Sequence, residues 1–428
     1  MDQKHKTQIE SIRLADFPDL PAISDAWRVA YAELYPYKYP HRWRWMFEEN
    51  PFSQRDGGKK LPMIIATTKN RVAAWACAME TPVFFDNDII PAAFSCNTFT
   101  LPEFRQRGLG GRIQRKIIQD YPVLWSISMS SGNRRNKIRE GGIPGKPLYV
   151  CYRRFREFDG NALMRSFESV VGSKSKIARK LLRSAAIKKM MAIPVQLLAR
   201  QTIPAVIPGK EKIPDGNGSM AFKPLADFDG EWDAVWQRDI RPAYDFGVDR
   251  SAAYMNWKFV RQPHVVFHRE AVIEQGRISG MLVYRLGRPP ELPMGMVVES
   301  LLSPGASPGC FTEMVSKISR KLFEMGAIGV YWGISDPAQL PALERQGYHL
   351  VRINVPILQL KDEFQTRWRK TAGRPQAKWL LSLGDQDQDQ LYKDQQPSFS
   401  TIASLLRRKV PGLADLNLRE VLQQSPKN

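Results

Sequence analysis

The most specific string in the chain is Leu101-Pro-Glu-Phe-Arg-Gln-Arg-Gly-Leu-Gly-Gly-Arg112. It stands where a strand pattern over Ala92–Leu101 gives way to a helical one over Gly108–Gln119, with Leu109, Ile113, Ile117 and Ile118 on one side. A helix N-terminus presents unpaired N–H groups and the positive end of the macrodipole. Glycines at 108, 110 and 111 let a bulky anion come close to those amides. Arg105, Arg107 and Arg112 add charge beside them. A pyrophosphate suits such a cradle. Without a ligand the same glycines make a tight strand-to-helix turn. The string has neither the Gly-Lys-Ser/Thr of a nucleotide-triphosphate loop nor the dinucleotide GxGxxG spacing.

This string resembles motif A of the GNAT family of acyl-CoA N-acyltransferases. Upstream, Ile12-Arg-Leu-Ala-Asp-Phe-Pro-Asp-Leu-Pro-Ala-Ile23 is similar to the opening strand and helix of that family. Downstream, Trp125–Met129, Asn133 and Gly142-Ile143 are similar to its fifth strand, its CoA-facing helix and the loop that follows. The resemblance covers residues 10–157. It implies acetyl-CoA or another acyl-CoA as cosubstrate, no metal, and transfer of the acyl group to a primary amine of a small molecule or peptide by direct attack. It further implies that the backbone of Phe99, Thr100 and Leu101 pairs with the pantetheine arm. Arg105, Arg107, Gly108, Leu109, Gly110, Gly111 and Arg112 would hold the pyrophosphate. Asn133 would lie near the CoA arm, or else serve as a helix N-cap.

Attack on a thioester needs a neutral amine, so a base is expected, and the leaving thiolate can use a proton. The family's tyrosine acid falls on Ile138 here, and Tyr149 and Tyr152 are the nearest phenols in sequence. The family's fourth-strand base falls on Asn97. Matching the halves on Pro102 and Pro304 puts Glu299 opposite Asn97. The candidate bases are therefore Glu80 on the third strand, Glu299 in the second half, and Glu103 within the motif. Glu80 sits among Ala76, Cys77, Ala78 and Met79, where burial would raise its pKa. Cys96 reads as a buried apolar residue. The five histidines share no metal-ligand spacing.

These groups need elements to hold them. The 428 residues are long enough for two or more domains. No apolar run reaches the roughly 18–20 residues of a membrane-spanning helix. The polar first ten residues lack a secretory core, and four scattered cysteines fit a reducing cytoplasm. The halves echo one another: Trp45-x-Phe47 and Trp257-x-Phe259, Trp125-Ser-Ile and Trp332-Gly-Ile, Gly142 and Gly347, at offsets of 212, 207 and 205. Matches in preserved order argue for duplication. The recurring tryptophans and phenylalanines read as core or interface packing. The expected fold class is α/β (α+β), with two tandem GNAT-like domains, each a mixed, mostly antiparallel sheet flanked by helices. The expected division is 1–160 with the acyl-CoA motif, 161–214 a basic helical linker, 215–395 a second domain with a degenerate motif, and 396–428 a polar tail. Within the first domain the strands are expected at Ile12–Leu14, Leu61–Thr67, Arg71–Phe84, Ala92–Leu101, Val123–Met129 and Leu148–Phe155, the last closing its sheet.

The net charge of +20 asks for an anionic partner. Residues 160–201 hold nine Lys/Arg and one acid, Glu168. Three readings stand for 170–192: an amphipathic helix on an anionic membrane at the inner surface, a stripe along nucleic acid, or an inter-domain hairpin with a solvated basic face. Two further functions compete with acyl-CoA transfer: a FemABX-like transferase using aminoacyl-tRNA, and a non-catalytic basic adaptor. The cradle favours CoA.

Overall fold

The computed structural model describes residues 9–53, 60–69, 71–85, 88–127, 129–158, 160–174, 182, 184–208, 220–288, 292–385, 397 and 399–409. The first half contributes β1 (Ser11–Asp16), β2 (Lys60–Thr68), β3 (Arg71–Phe85), β4 (Asp88–Thr100), β5 (Val123–Ser126), β6 (Ile143–Pro144) and β7 (Leu148–Arg154). The second contributes β8 (Met220–Pro224), β9 (Phe246–Val248), β10 (His268–Glu274), β11 (Arg277–Leu286), β12 (Met294–Leu302), β13 (Gly329–Ile334), β14 (His349–Asn354), β15 (Ile357–Leu360) and β16 (Trp379–Leu380). β3 reads as an almost unbroken apolar run because both of its faces are covered: all but its first residue is buried.

The strands form two sheets with one plan. The first runs β1-β2-β3-β4-β5-β15-β6 and the second β8-β10-β11-β12-β13-β7-β14. β4 and β5 are parallel, as are β12 and β13. The remaining pairs along both paths are antiparallel. The expected tandem fold is therefore present, with one correction. The strand at Leu148–Phe155 forms, but it pairs with β13 and β14 of the second sheet. Its place in the first sheet, between β5 and β6, is taken by β15. The halves exchange one strand each. Apolar pattern marks a strand without naming its neighbours, so the sequence could not show the exchange. β9 and β16 extend the first sheet further, β9 pairing with the far end of β3 at Val83–Phe85.

The repeat is visible in the packing. Trp45 and Trp257 stack at 4.8 Å. Each indole N–H donates to the other's carbonyl, at 2.8 and 3.0 Å. This reciprocal pair is what two copies related by a local two-fold axis would make. Both rings are buried, so the expected packing role holds. Phe47 and Phe259 are buried too, against Trp43 and Phe267 respectively.

Two helices, Gly160–Lys174 and Ala185–Thr202, pack together between the halves. The tail's apolar patch lies in a helix, Phe399–Lys409, with Ile402 and Leu405 buried. Ile177 and Leu181 of the expected amphipathic stretch lie outside the described residues. Among the described residues no helix is long and apolar enough to cross a membrane.

Candidate active site

β4 and β5 pair from Ala92–Val123 to Phe94–Trp125 and then part. β5 ends at Ser126 while β4 runs on to Thr100. Against β3 the register slips between Cys77–Cys96 and Trp75–Phe99. The extra residue is a β-bulge, and Asn97 takes it up with φ of 46°. Asparagine tolerates that left-handed conformation better than most side chains. The bulge bends β4 away and opens a cleft of about 330 Å³. Its walls include Phe94–Thr100, Ser126, Ile127, Gly110, Asn133 and Asn136.

Two buried polar atoms at the bulge, Asn97 Nδ2 and Thr98 Oγ1, have no hydrogen-bond partner. A buried donor costs about 1–3 kcal/mol when left unmet. Both residues line the cleft, so a polar ligand there would meet them. The Asn97 carbonyl oxygen accepts from Lys38 Nζ at 3.1 Å and from Tyr31 Oη at 3.3 Å. Lys38 is buried and lies over the Tyr31 ring.

The cradle follows at the mouth of the cleft. Pro102–Phe104 makes one 3-10 turn, and the helix Leu109–Ile118 begins after Gly108. Gln106 and Gly108 have φ of 65° and 70°. No side chain caps the helix at Gly108. The first-turn amides keep their donors for an outside acceptor, and the dipole favours an anion. Gly108 is needed for its φ. Gly111 is needed for room: a Cβ there would meet the Arg139 guanidinium at 3.0 Å and the Glu140 carboxylate at 3.2 Å. That is how the second helix, Ser131–Arg139, lies close beside the cradle helix. Arg105 donates to Thr100 O at 3.2 Å and covers the Phe99 ring. Arg107 donates to Glu103 O at 3.2 Å and covers Phe104. The residues present fit a pyrophosphate and a polar arm entering the cleft.

The structure thus gathers Phe99, Thr100, Gly110 and Asn133 on one cleft, while Leu101, Arg105, Arg107, Gly108, Leu109, Gly111 and Arg112 adjoin them along the turn and first helical turn without lining it. Asn133 is not the N-cap of its helix. Ser130 is, its hydroxyl accepting the Asn133 N–H at 3.3 Å.

The carboxylates are not gathered there. Glu80 pairs with Ala93, further back along β4, and accepts from Tyr121 Oη at 3.2 Å. It lines a different cavity, of about 700 Å³, with Tyr121, Asp120 and Asp249. Glu103 is ion-paired with Arg71. Its own backbone N–H and Arg71 hold its carboxyl below the usual range. Glu299 is buried against Arg250, at 2.6 Å, and Arg250 also holds Asp385 at 2.8 Å. Burial pushes Glu299 up to about 7. β7 carries Tyr149 and Tyr152 into the second sheet, where Tyr152 packs on Tyr331.

Among the described residues the matching place in the second half is filled. β12 and β13 part after Val297–Trp332. Just beyond, a Cβ on Gly333 of β13 would strike Leu383, and one on Gly384 would press on Val298 O of β12 and on Phe259. The stretch Leu383–Asp385 fills that notch, clamped by Arg250.

Sequence reading missed Lys137 and Lys38. Lys137, on Ser131–Arg139, is fully buried with its Nζ donating to Ser95 Oγ at 3.0 Å. Its only sequence signal was a lysine three residues before a helix-ending Glu140-Gly141 boundary, which reads as an ordinary C-terminal cation. Among the described residues no three His, Cys, Asp or Glu side chains are grouped to hold a metal.

No protein-family profile matches the chain, and no curated protein matches it. Solved structures do. A GCN5-related N-acetyltransferase from Anabaena variabilis is 11% identical, with a TM-score of 0.49 over 82% of this chain and 72% of its own. One from Kribbella flavida is 13% identical, with a TM-score of 0.45 over the same shares. N-myristoyltransferase from Saccharomyces cerevisiae, solved with bound myristoyl-CoA and inhibitors, is 9% identical, with a TM-score of 0.48 over 84% of this chain and 82% of its own.

Proposed function

We propose that the chain is a GNAT-family N-acyltransferase that moves an acyl group from acetyl-CoA or another acyl-CoA to a primary amine. The observation that carries this reading is the bulge-opened cleft, with unmet polar atoms on its wall and uncapped amides at its mouth. The amides from Arg107 to Gly111 take the pyrophosphate, with Arg105 and Arg112 beside it. The backbone of Phe99–Leu101 receives the pantetheine arm like an added strand. Asn133 contacts that arm. The thioester then lies toward Asn97, where the acceptor amine attacks it directly in a ternary complex. The second half, its notch filled, shapes the acceptor side and serves as scaffold.

The test is calorimetric titration with acetyl-CoA. Binding by the wild type that is lost in Gly108→Asp plus Gly110→Asp is the expected result. No binding, or equal binding by that variant, sinks the proposal.

A surface role for the linker accompanies it. Met190, Ile193 and Leu197 form an exposed apolar stripe at i, i+3 and i+7 on Ala185–Thr202. Lys188 and Lys189 adjoin it, after the lysine- and arginine-rich stretch from Lys174 to Arg183. This arrangement suits an anionic bilayer, where each cation near the surface adds about 1 kcal/mol. Co-sedimentation with phosphatidylserine vesicles, lost in Met190→Asp plus Ile193→Asp, tests it; equal loss with neutral vesicles counts against it.

A further inference from the structure

Lys137 is the buried titratable group that the reading above leaves without a task. It has no exposed surface, and its hydrogen bond goes to Ser95. Among the described residues no carboxylate pairs with it. An ammonium so enclosed has lost its water without gaining a counter-charge. Ser95 is a wall of the cleft, two residues before the bulge at Asn97.

Among the described residues the surroundings hold no carboxylate to share its charge. β4 offers Ser95 and Cys96, and Cys96 is the one titratable neighbour that acts on it. β15, packed on the same helix, contributes Ile357, Leu358, Gln359 and Leu360, none of them titratable. On the cradle helix Arg115 is held by Glu140 at 2.9 Å, and Arg139 leans on the same carboxylate. Arg134 on Lys137's own helix donates to Val355 O. Burial therefore brings Lys137 down to about 7.

The repeat gives an internal control. The offset of 205 that relates Gly142 to Gly347 puts Ala342 where Lys137 stands. The match of Pro102 with Pro304 puts Val297 where Ser95 stands. The half with the filled notch has buried apolar residues at both positions. A lysine is not what packing here requires; the half with the open cleft has it.

We propose that Lys137, acting through the Ser95 hydroxyl, is the proton acceptor for acyl transfer in the cleft. The inference rests on the acyltransferase reading. The acceptor nitrogen attacks the thioester carbonyl, a C–N bond forms and the C–S bond breaks with its electron pair on sulfur. The nitrogen gives one proton to Ser95 Oγ as the Ser95 hydroxyl proton passes to the Lys137 amine. The resulting ammonium returns a proton by the same hydroxyl to the CoA thiolate. Amide and free thiol leave, and Lys137 is again an amine. Lys137 is in this sense a positioning and proton-holding group, while Ser95 makes the contact.

The experiment follows thiol release from acetyl-CoA with hydroxylamine as acceptor, after subtraction of the uncatalysed rate. Hydroxylamine loses its own proton within this range, so each rate is divided by the fraction of acceptor present as free base, and the pH dependence that remains reports the protein. In the wild type kcat/KM should rise with unit slope and level off near pH 7. Lys137→Met and Lys137→Arg should lose that limb and fall about tenfold or more. Ser95→Ala should lose it too, with the fold checked by circular dichroism. Acetyl-CoA affinity should stay within about twofold in each variant if the group acts on the proton and not on binding. A wild-type profile retained by Lys137→Met or by Ser95→Ala overturns the inference. So does a wild type that binds acetyl-CoA but releases no thiol. A wild type that does not bind acetyl-CoA overturns the parent reading, and this one with it.

Discussion

Replacing Lys137 by methionine should stabilise the protein at neutral pH and lose that advantage as pH rises. The amine's ordinary value is 10.5, and burial brings it to about 7. Each unit is worth about 1.4 kcal/mol, so enclosing this group costs up to about 5 kcal/mol wherever it would otherwise be charged. Between 7 and 10.5 the unfolded chain binds a proton at this site that the folded chain does not. Wild-type stability must therefore climb with pH across that window, and below it both states are protonated and the cost is constant. From pH 7 to about pH 9 the climb is about 2 kcal/mol. Methionine has no such dependence. It fills a similar volume but strands the Ser95 hydroxyl, a loss of about 1 kcal/mol. Lys137→Met should thus be the more stable protein at pH 7 by a few kcal/mol, with the gap closing and reversing toward pH 10.5. Urea unfolding midpoints for both proteins at unit pH steps measure it. A gap that stays level from neutral to alkaline pH would refute the reasoning, because it would mean the amine titrates normally in the fold.

Other outcomes follow from the same geometry. Trp257→Phe and Trp45→Phe each remove one indole donor and leave one carbonyl unmet; each should cost about 1–3 kcal/mol in thermal denaturation. Trp45→Ala should cost more than Trp257→Ala, because Arg42 and Lys258 also lie over the Trp45 ring. Asp385→Ala leaves the buried Arg250 short of a counter-charge and should cost about 3–5 kcal/mol by urea unfolding. Gly111→Leu should weaken acetyl-CoA binding in calorimetry by prising apart the two helices beside the cradle, since even a Cβ there meets Arg139 and Glu140.

Much of this was legible in the residues. The glycine string marked the turn from strand to helix, because that turn needs left-handed backbone at Gly108 and leaves the first amides of the helix uncapped. The recurring tryptophans announced the duplication, since two copies meeting about an axis must bury like against like. What stayed hidden depended on partners far apart in sequence. Nothing in Leu148–Arg154 says that it pairs with Gly329–Ile334, and an apolar strand serves either sheet equally well. Glu299 read as a candidate base because its place on β12 matched Asn97; that Arg250 and Asp385 close over it is a contact across 49 and 135 residues from Arg250. Lys137 was passed over for the opposite reason. A lysine near a helix end is normally solvated, and only the sheet beneath and β15 beside it make this one buried.

The exchanged strands also set a timetable for synthesis. The sheet that bears the cleft lacks an inner member until Ile357–Leu360 has been made, although its other core strands are complete by Pro144. During that interval β5 carries an open edge, and β7 waits for β13 and β14. The amino-terminal half therefore cannot mature as a separate unit, and a chain stopped before residue 357 would expose two unpaired edges prone to wrong pairing. A nick between the halves would leave them threaded through one another. The half with the filled notch supplies β9, β15 and β16 to the first sheet, so removing it would unmake the sheet that bears the cleft.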